Sequence, residues 1–359
     1  MPLNKAINIP SLLKIGSGKT AKIGKYLFDR KFFKTALFFS DGIEDIVADK
    51  LYSGFKEHGI EIVRKDFISD INIENIIHTA FKVPQGTDVI IGIGGGKSLD
   101  YSKYCAHTLQ LPFISVPTSV SNDGFCSPTA SLLVEGKRKS VYANIPYGVV
   151  ADLDVISGAP KETFYSGLGD MISKATALWD WKRAFDKGLS DYNDFSAMLA
   201  YNSLDALHYT GERAAPEELY SREFCSRLAN SLVLSGIAME VAGSSRPASG
   251  SEHLISHALD YISANPRMHG LQVGAATYLC ALLQGNKVPE IKNFLETSGF
   301  TDFVGKNPLD KKDFLAALKY APQVKENYYT ILSEPDSLEK AKLLLENDEL
   351  LKKMVKEKK

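Results

Sequence analysis

Cysteine is scarce in this sequence. The four cysteines among 359 residues form no C-x-x-C pair and are far apart in the chain, at Cys105, Cys126, Cys225 and Cys280. This pattern excludes a disulfide framework as the basis of the fold, and it fits the reduced thiols of a cytosolic protein.

Long apolar runs and net charge are also missing. No apolar run approaches the ~20 residues that cross a bilayer, and the start, MPLNKAINIP, lacks the apolar core of a signal peptide. The 42 basic and 43 acidic side chains leave a net charge of -1, so no overall field attracts nucleic acid or an anionic membrane. We expect a cytoplasmic protein without nucleic-acid or membrane partners, in which any anionic ligand binds at a local site.

Short β-rich runs alternate with helical patterns over the first 120 residues, which predicts a parallel sheet covered by helices. The β-rich runs fall at 34–41, 61–68, 88–95 and 112–119, and the helical patterns at 43–57, 73–81 and 97–109. A hairpin at Glu135-Gly136 and a further strand follow, and from Ala159 onward helical periodicity carries the chain to its end. We predict an α/β Rossmann-like domain over 1–158 and an all-α helical domain over 159–359.

A glycine turn is the most informative local feature. The stretch IGIGGGKSLD, residues 91–100, passes from an apolar strand through three glycines into a helix. Backbone without Cβ atoms and the free N–H groups of a helix N-terminus together bind phosphates, although a tight turn alone also explains the glycines. We assign this predicted nucleotide site to Gly94, Gly95, Gly96, Lys97, Ser98 and Asp100.

A second glycine-rich stretch, IGSGKT at 15–20, resembles the end of a P-loop. The pattern G-x-x-x-x-G-K-[ST] requires glycine at position 13, which is Leu13. We therefore interpret this stretch as a turn leading into a helix around 20–28.

Polar residues follow two of the predicted strands. Asp41 comes after the apolar run 36–39, where a carboxylate can accept bonds from the adenosine ribose and repel a 2′-phosphate, which favours NAD over NADP. An Asx turn over Ser40-Asp41-Gly42 explains Asp41 equally well. The loop PTSVSNDGFCSP at 117–128 follows another strand, and a loop that caps its own turns is the alternative there. Its candidate donors to phosphate or nicotinamide are Thr118, Ser119, Ser121 and Ser127, and Asp123 is a candidate acceptor from a substrate hydroxyl.

Histidines and one carboxylate suggest a metal site. We predict a helix over 167–185 that starts at glycine, with Asp170 in its first turn and Lys174 one turn later. The predicted helix 251–260 carries His253 and His257 on one face, and His269 follows. Two imidazoles and one carboxylate make a catalytic zinc site, and nickel or iron fits the same donors. Spacing leaves open whether His257 or His269 is the second nitrogen ligand, and a simple acid–lysine pair also explains Asp170 and Lys174.

Six ordered segments carry a family resemblance: GGGKSLDYSK, PTSVSNDGFCSP, VVADLDVISGAP, SGLGDMISKATALWDW, SRPASGSEHLISHALD and MHG. Together they resemble the sn-glycerol-1-phosphate dehydrogenases, which belong with iron-containing alcohol dehydrogenases, glycerol dehydrogenase and 3-dehydroquinate synthase. The similarity is close over 90–185 and 243–275 and only architectural elsewhere.

The resemblance implies an enzyme with NAD or NADP and a divalent metal. By this analogy Asp170, His253 and His269 hold zinc, His257 and Asp123 act on the substrate, and the glycine turn and the hydroxyls of 118–127 bind the cofactor. Arg246 and Lys174 are our own candidates for binding a substrate phosphate.

The expected reaction is the reversible reduction of dihydroxyacetone phosphate to sn-glycerol 1-phosphate, in a homo-oligomer of two or more subunits. The alternatives are oxidation of free glycerol, a lyase that resembles dehydroquinate synthase, and a non-catalytic nucleotide-binding protein. Asp170 counts against the lyase, because a glutamate ligand is expected at this position in that family.

Overall fold

The computed structural model describes residues 7–211 and 220–357. Most of the start considered for a signal peptide, residues 1–6, lies outside the described residues. The chain divides into two compact units, Met1–Pro160 and Lys161–Lys359, and the predicted boundary at 158/159 falls just before this division. Within the described ranges, no helix combines the length and the apolar character that a membrane crossing requires.

The first unit contains a sheet whose strands all run parallel, in the order β1-β8-β5-β4-β2-β3. Its strands are β1 (Leu12–Gly16), β2 (Lys34–Ser40), β3 (Glu61–Ile68), β4 (Val89–Gly94), β5 (Phe113–Pro117) and β8 (Gly148–Asp152), and β6 (Thr129–Val134) and β7 (Lys137–Tyr142) form the predicted hairpin. The helices are α1 (Ile23–Phe28), α2 (Ile43–His58), α3 (Ile73–Ala80), α4 (Gly96–Leu109) and α5 (Leu153–Ile156). The predicted α/β fold is confirmed, but strand β1 was not predicted.

Strand β2 shows why the central strands are apolar throughout. Leu37 and Phe39 belong to one buried cluster, whereas Ala36 and Phe38 belong to another. Successive side chains of a strand point to opposite faces, so helices must cover both faces of this sheet. Full burial of Phe38 contributes roughly 1.5–3 kcal/mol.

The strand order creates a crevice at one edge of this sheet. After β2 the chain crosses to β3 on one side, and after β4 it crosses to β5 on the other. The carboxyl ends of β2 and β4 therefore flank a topological switch point, where open α/β sheets bind their ligands. Ser40 and Gly94, the last residues of these strands, lie at this edge.

The described part of the second unit is helical apart from one short pair of parallel strands, β9 (Leu309–Asp310) and β10 (Val355–Lys356). Its first helices are α6 (Lys161–Ile172), α7 (Lys174–Asp186), α8 (Asp194–Gly211), α9 (Arg222–Ala242), α10 (Ser251–Ile262) and α11 (His269–Gln284). They are followed by α12 (Val288–Thr297), α13 (Phe300–Lys306), α14 (Lys311–Tyr320), α15 (Ser337–Asn347) and α16 (Glu349–Met354). A helical second half was predicted and is confirmed.

One helix prediction was wrong. Helix α6 begins at Lys161, not at a glycine, so Asp170 lies in its last turn instead of its first. The glycines serve close packing: a Cβ on Gly169 would lie 1.9 Å from the carbonyl oxygen of Gly270, and a Cβ on Gly270 would lie 1.8 Å from that of Ser166. Because α6 and α11 meet backbone to backbone here, Asp170 near the end of α6 approaches the first residue of α11, His269.

Candidate nucleotide site and metal centre

Ser40 ties the glycine turn together. Gly94 has a φ of +141°, and a Cβ there would lie 2.1 Å from the Ser40 Oγ, so this position requires glycine. The Ser40 Oγ accepts a hydrogen bond from the Gly95 N–H at 3.1 Å and donates to the Ser98 Oγ at 2.9 Å. The sequence interpretation missed this role of Ser40, whose only signal was its place at the end of an apolar strand.

Helix α4 offers an open N-terminus. Its N-cap residue, Gly95, makes no side-chain cap, and the first helical residue is Gly96. An added Cβ on Gly95 would meet no atom within 4 Å, and one on Gly96 would meet only the Asn122 Nδ2, at 4.0 Å. Accessible backbone beside an uncapped helix N-terminus fits the pyrophosphate of a dinucleotide.

Other predicted cofactor residues lie at the same edge of the sheet. Asp41 is exposed and directly follows β2, whereas Thr118 and Ser119 follow β5. The Thr118 N–H donates to the Gly94 carbonyl at 3.1 Å, which holds this loop against the glycine turn. Because β2, β4 and β5 are neighbours in the sheet, Asp41, the glycine turn and the loop that begins at Thr118 lie close together.

The rest of the 117–128 loop follows the same edge. Ser121 is buried, and Asp123 begins a short 3-10 turn that Asn122 caps by accepting from the Gly124 N–H at 2.9 Å. Lys97, one residue into α4, is exposed. The nucleotide and substrate contacts of Ser121, Asp123 and Lys97 remain predictions.

Asp100 faces the protein interior. Its Oδ1 lies 3.4 Å from the Nζ of Lys103, and its Oδ2 accepts from the Ser131 N–H at 3.1 Å. Lys103 is 1% exposed and also donates to the carbonyl groups of Gly124 and Thr129, at 2.6 and 2.7 Å. Asp100 and Lys103 thus fasten the hairpin to α4, so these contacts show a structural role for Asp100, not a cofactor contact.

Two predicted hydroxyl donors also have partners within the protein. The Ser98 Oγ donates to the Gly95 carbonyl at 3.1 Å, and the Ser127 Oγ donates to the Thr129 carbonyl at 3.0 Å. Both serines are almost completely buried. Thr118 and Ser119 are therefore the better candidates for nucleotide contacts.

In the stretch 15–20, the backbone N–H groups of Gly18 and Thr20 are already hydrogen-bonded within the protein. Gly18 N–H donates to the carboxylates of Asp152 and Asp154 at 3.0 and 3.1 Å, and Thr20 N–H donates to Asp152 at 2.8 Å. These carboxylates occupy the donors that a P-loop offers to phosphate, so the structure agrees with rejecting that motif.

A carboxylate and two imidazoles meet in the second unit. Asp170 on α6, His253 on α10 and His269 on α11 each offer one ligand atom, and these atoms lie within 4.8 Å of one another. The Asp170 Oδ1 is 3.4 Å from the His253 Nε2, and the rings of His253 and His269 have centroids 5.1 Å apart. Asp170 and His253 are buried. This donor set fits a divalent transition metal.

Each imidazole has a partner on its other nitrogen. The His253 Nδ1 lies 2.9 Å from the Oε1 of Glu252, whose Oε2 accepts from the Thr176 Oγ1 at 2.9 Å. The His269 Nδ1 lies 2.9 Å from the Ser256 Oγ. Such partners fix the orientation of the ring, so that Nε2 is the nitrogen turned away from them and toward a metal. The sequence interpretation missed Glu252, although a carboxylate directly before a candidate ligand was a usable signal.

The charges around Asp170 keep it ionised. Burial alone would raise its pKa, but Lys174 and His253 lower the pKa below its usual value. Burial would lower the pKa of His253, but hydrogen bonds to Asp170 and Glu252 raise it to about 9. Lys174 is 0% exposed, and its Nζ donates to the Asp170 carbonyl at 2.8 Å and lies 3.3 Å from its Oδ2. Lys174, which was predicted to bind a substrate phosphate, therefore has its ammonium bound to Asp170.

His257 lies beside this group. Its ring is stacked on that of His269 with centroids 5.5 Å apart, and it is 6.5 Å from that of His253. His257, Asp260 and His269 also have ligand atoms within 4.8 Å of one another. We favour the first group as the candidate metal centre, because Asp170 and His253 are buried, whereas all three members of the second group are only partly buried.

Comparisons with known proteins identify the family. Residues 14–160 match the family described as iron-containing alcohol dehydrogenase. A glycerol-1-phosphate dehydrogenase (NAD(P)+) of Metallosphaera sedula is 36% identical over 333 residues, which cover 91% of this chain and 93% of that protein. The chain belongs to the glycerol-1-phosphate dehydrogenase family. A second member, from Methanosarcina acetivorans, is 34% identical over 343 residues, 94% of this chain and 95% of that protein.

A solved structure supports the fold. Glycerol dehydrogenase from Schizosaccharomyces pombe superimposes with a TM-score of 0.77 at 20% identity, covering 98% of this chain and 92% of that one. At this identity the likeness establishes the architecture alone. The predicted family and fold class are both confirmed.

Proposed function

We propose that the protein is a metal-dependent, NAD(P)-linked dehydrogenase that reversibly reduces dihydroxyacetone phosphate to sn-glycerol 1-phosphate. The observation that carries this proposal is the group Asp170, His253 and His269, in a chain that resembles a named glycerol-1-phosphate dehydrogenase over 91% of its length. Oxidation of free glycerol is the second candidate, because the S. pombe protein of the same fold is a glycerol dehydrogenase.

The cofactor site lies at the open N-terminus of α4. The N–H groups that follow Gly95 bind the pyrophosphate, and Thr118, Ser119 and Ser121 supply hydroxyl donors. Asp41, at the end of β2, accepts bonds from the adenosine ribose and disfavours the 2′-phosphate of NADP. NAD is therefore the preferred coenzyme in this proposal.

The metal site would be held by Asp170, His253 and His269, with zinc, nickel or iron as candidates. When bound, the cation polarises the substrate carbonyl and the reduced nicotinamide supplies the hydride. Glu252 and Ser256 keep the two imidazole rings oriented, with each Nε2 directed away from these partners. Lys174 balances the charge of Asp170 within the protein.

His257 is proposed as the proton donor. It is half-buried beside His269, and a ring nitrogen gives its proton to the carbonyl oxygen as that oxygen becomes a hydroxyl. In the oxidative direction the same nitrogen takes the proton back. Asp123 accepts a hydrogen bond from a substrate hydroxyl and so fixes the orientation of the substrate.

A substrate panel tests the reaction. Metal-loaded protein is assayed with NADH and with NADPH against dihydroxyacetone phosphate and dihydroxyacetone in parallel. We expect a much larger kcat/KM for the phosphorylated ketone. Equal or reversed preference would favour glycerol oxidation, and phosphate release without net consumption of NADH would favour a lyase.

A cytoplasmic homo-oligomer completes the proposal. All four cysteines are free buried thiols, as in a reducing compartment, and edge strand β3 exposes 50% of Phe67 and 37% of Ile62. Cell fractionation tests the location, and light scattering tests the oligomeric state.

A further inference from the structure

Two cations contact one tyrosine ring in the second unit. The Arg246 Cζ lies 3.6 Å from the centroid of the Tyr328 ring, and the Lys325 Nζ lies 3.9 Å from it. Over residues 7–211 and 220–357, no carboxylate lies within 4.0 Å of either cation. Two neighbouring positive charges are therefore left without an acidic partner in the described part of the chain.

The surrounding structure holds both cations in place. Arg246 is 5% exposed, and its Nη1 donates to the Tyr329 carbonyl at 2.7 Å. The Lys325 side chain is exposed, and its Nζ donates to the Ser245 Oγ at 3.0 Å. A guanidinium carries five N–H donors, so most donors of Arg246 remain for a ligand or solvent.

The electrostatics disfavour this arrangement without an anion. Although Lys325 is exposed overall, loss of hydration at its ammonium and, second, repulsion by Arg246 lower its pKa to about 8. Burial lowers the pKa of Arg246, and Tyr328 and Asp180 oppose this. Burial raises the pKa of Tyr328 to about 12, so its phenol is neutral near pH 7 and cannot balance the two charges.

The same segment is fastened to the metal-binding helix. The Tyr328 hydroxyl donates to the carbonyl of Ser249, two residues before the start of α10. Asp180 accepts from Ser251 N–H at 2.8 Å and from Ile331 N–H at 2.7 Å. The start of the helix that carries His253 and the loop that carries Lys325 are therefore held together.

We infer that Arg246 and Lys325 form an anion subsite, whose ligand is the phosphomonoester group of the substrate. This inference rests on the proposed function and assigns its phosphate contacts. It keeps the sequence-based candidate Arg246 and replaces Lys174 with Lys325. Arg246 supplies a planar set of donors, and Lys325 supplies a compact ammonium at the solvent side.

Three variants test the subsite. Lys325→Gln and Arg246→Lys are compared with the control Lys287→Gln, which removes a lysine 4.5 Å from the ring of Tyr201 in the same unit. The readouts are the ratio of kcat/KM for dihydroxyacetone phosphate to that for dihydroxyacetone, and the inhibition constant of inorganic phosphate. We expect Lys325→Gln to lower the ratio and raise the inhibition constant by about tenfold, as for loss of one charged hydrogen bond. The control should change neither.

The outcomes separate the two proposals. If the unsubstituted enzyme does not prefer the phosphorylated ketone, the proposed function fails. If it does, but Lys325→Gln leaves both readouts at their original values, only the subsite is wrong. Arg246 is buried, so Arg246→Lys is checked by circular dichroism, and the exposed Lys325 supports the test without it.

Discussion

Replacing Glu252 with glutamine tests the effect of the negative charge beside His253, one of the three proposed metal ligands. Glu252 is 0% exposed, and its Oε1 lies 2.9 Å from the His253 Nδ1. In the unsubstituted protein, the Gly250 N–H also donates to this Oε1, at 2.6 Å. Glutamine has the same shape, and its amide oxygen can accept both hydrogen bonds. The variant therefore keeps the geometry and removes only the negative charge that makes the imidazole a stronger ligand.

The expected magnitude follows from this contact. Loss of a hydrogen-bonded partner of a metal-binding histidine weakens metal affinity by about 10- to 100-fold, or about 1.4–2.8 kcal/mol. Because Glu252→Gln keeps the hydrogen bond, we expect the lower end of this range. Ser256→Ala removes a neutral partner of His269 and should weaken affinity by less.

The change in stability of the metal-free protein should depend on pH. Burial and the neighbouring charge of Glu252 raise the pKa of Asp180 to about 7. A carboxyl group whose pKa is raised by folding stabilises the native state at low pH, and this stabilisation is lost as pH rises through about 7. Removing the Glu252 charge lowers the pKa of Asp180, which favours the variant above pH 7. The same change removes an anion that helps to raise the pKa of His253 to about 9, which disfavours the variant while that imidazole is protonated. The variant should therefore become the more stable of the two only near pH 9, where His253 loses its proton.

The assay combines competition of zinc with a chelator and thermal unfolding of metal-free protein from pH 6 to 9. Zinc affinity within twofold of the original would refute the role of Glu252 as a charged partner of His253. Weaker binding together with lower stability at every pH would instead indicate a disrupted fold. Thr176→Val, which removes one hydrogen bond to Glu252 without a charge change, is the control.

Three further outcomes are expected. Gly270→Ala should lower the thermal midpoint and the metal content, because its Cβ would lie 1.8 Å from the Ser166 carbonyl oxygen and overpacking costs typically 1–3 kcal/mol; a midpoint within 1 °C of the original would contradict this packing. The kcat/KM for dihydroxyacetone phosphate should fall as pH rises through about 8, where Lys325 loses its charge, and Lys325→Arg should remove this fall; the same profile in both proteins would contradict it. His257→Ala should keep the metal and lose turnover, whereas His253→Ala should lose both; metal loss from His257→Ala would instead favour the group with Asp260.

The first unit was predictable because burial leaves a strong local pattern. Residues 36–39 and 89–93 are apolar because helices cover both faces of the sheet, and these runs alternate with helical patterns. Strand β1 left no such pattern. It lies at the edge of the sheet, and of its residues only Leu12 is buried, so LLKIG shows neither a long apolar run nor a strict alternation of apolar and polar residues.

The predicted helix start at Gly167 was wrong for a different reason, since Gly167 and Gly169 both lie inside α6. Glycine before a helical pattern signals a helix boundary, and the same residue inside a helix permits another backbone to approach. The contact between Gly169 and the backbone of Gly270, about a hundred residues later in the chain, shows that the second explanation applies. The local sequence does not contain this information. Glu252 was missed for a related reason, because its partner Thr176 comes from a distant helix.

The two lysines show why charge near a site does not establish a role in binding. Lys174 was our own candidate for the substrate phosphate, but it lies four residues after Asp170, and this spacing places its ammonium 3.3 Å from the Asp170 carboxylate, where burial requires a counter-charge. Lys325 is far from Arg246 in sequence. The two cations meet because the loop of Lys325 and Tyr328 is hydrogen-bonded to Ser249, near the start of α10. The charge of Lys174 is already balanced by a buried carboxylate. Arg246 and Lys325 have no carboxylate within 4.0 Å among residues 7–211 and 220–357, so together they favour an anion. We therefore assign the phosphate contact in our proposal to Arg246 and Lys325.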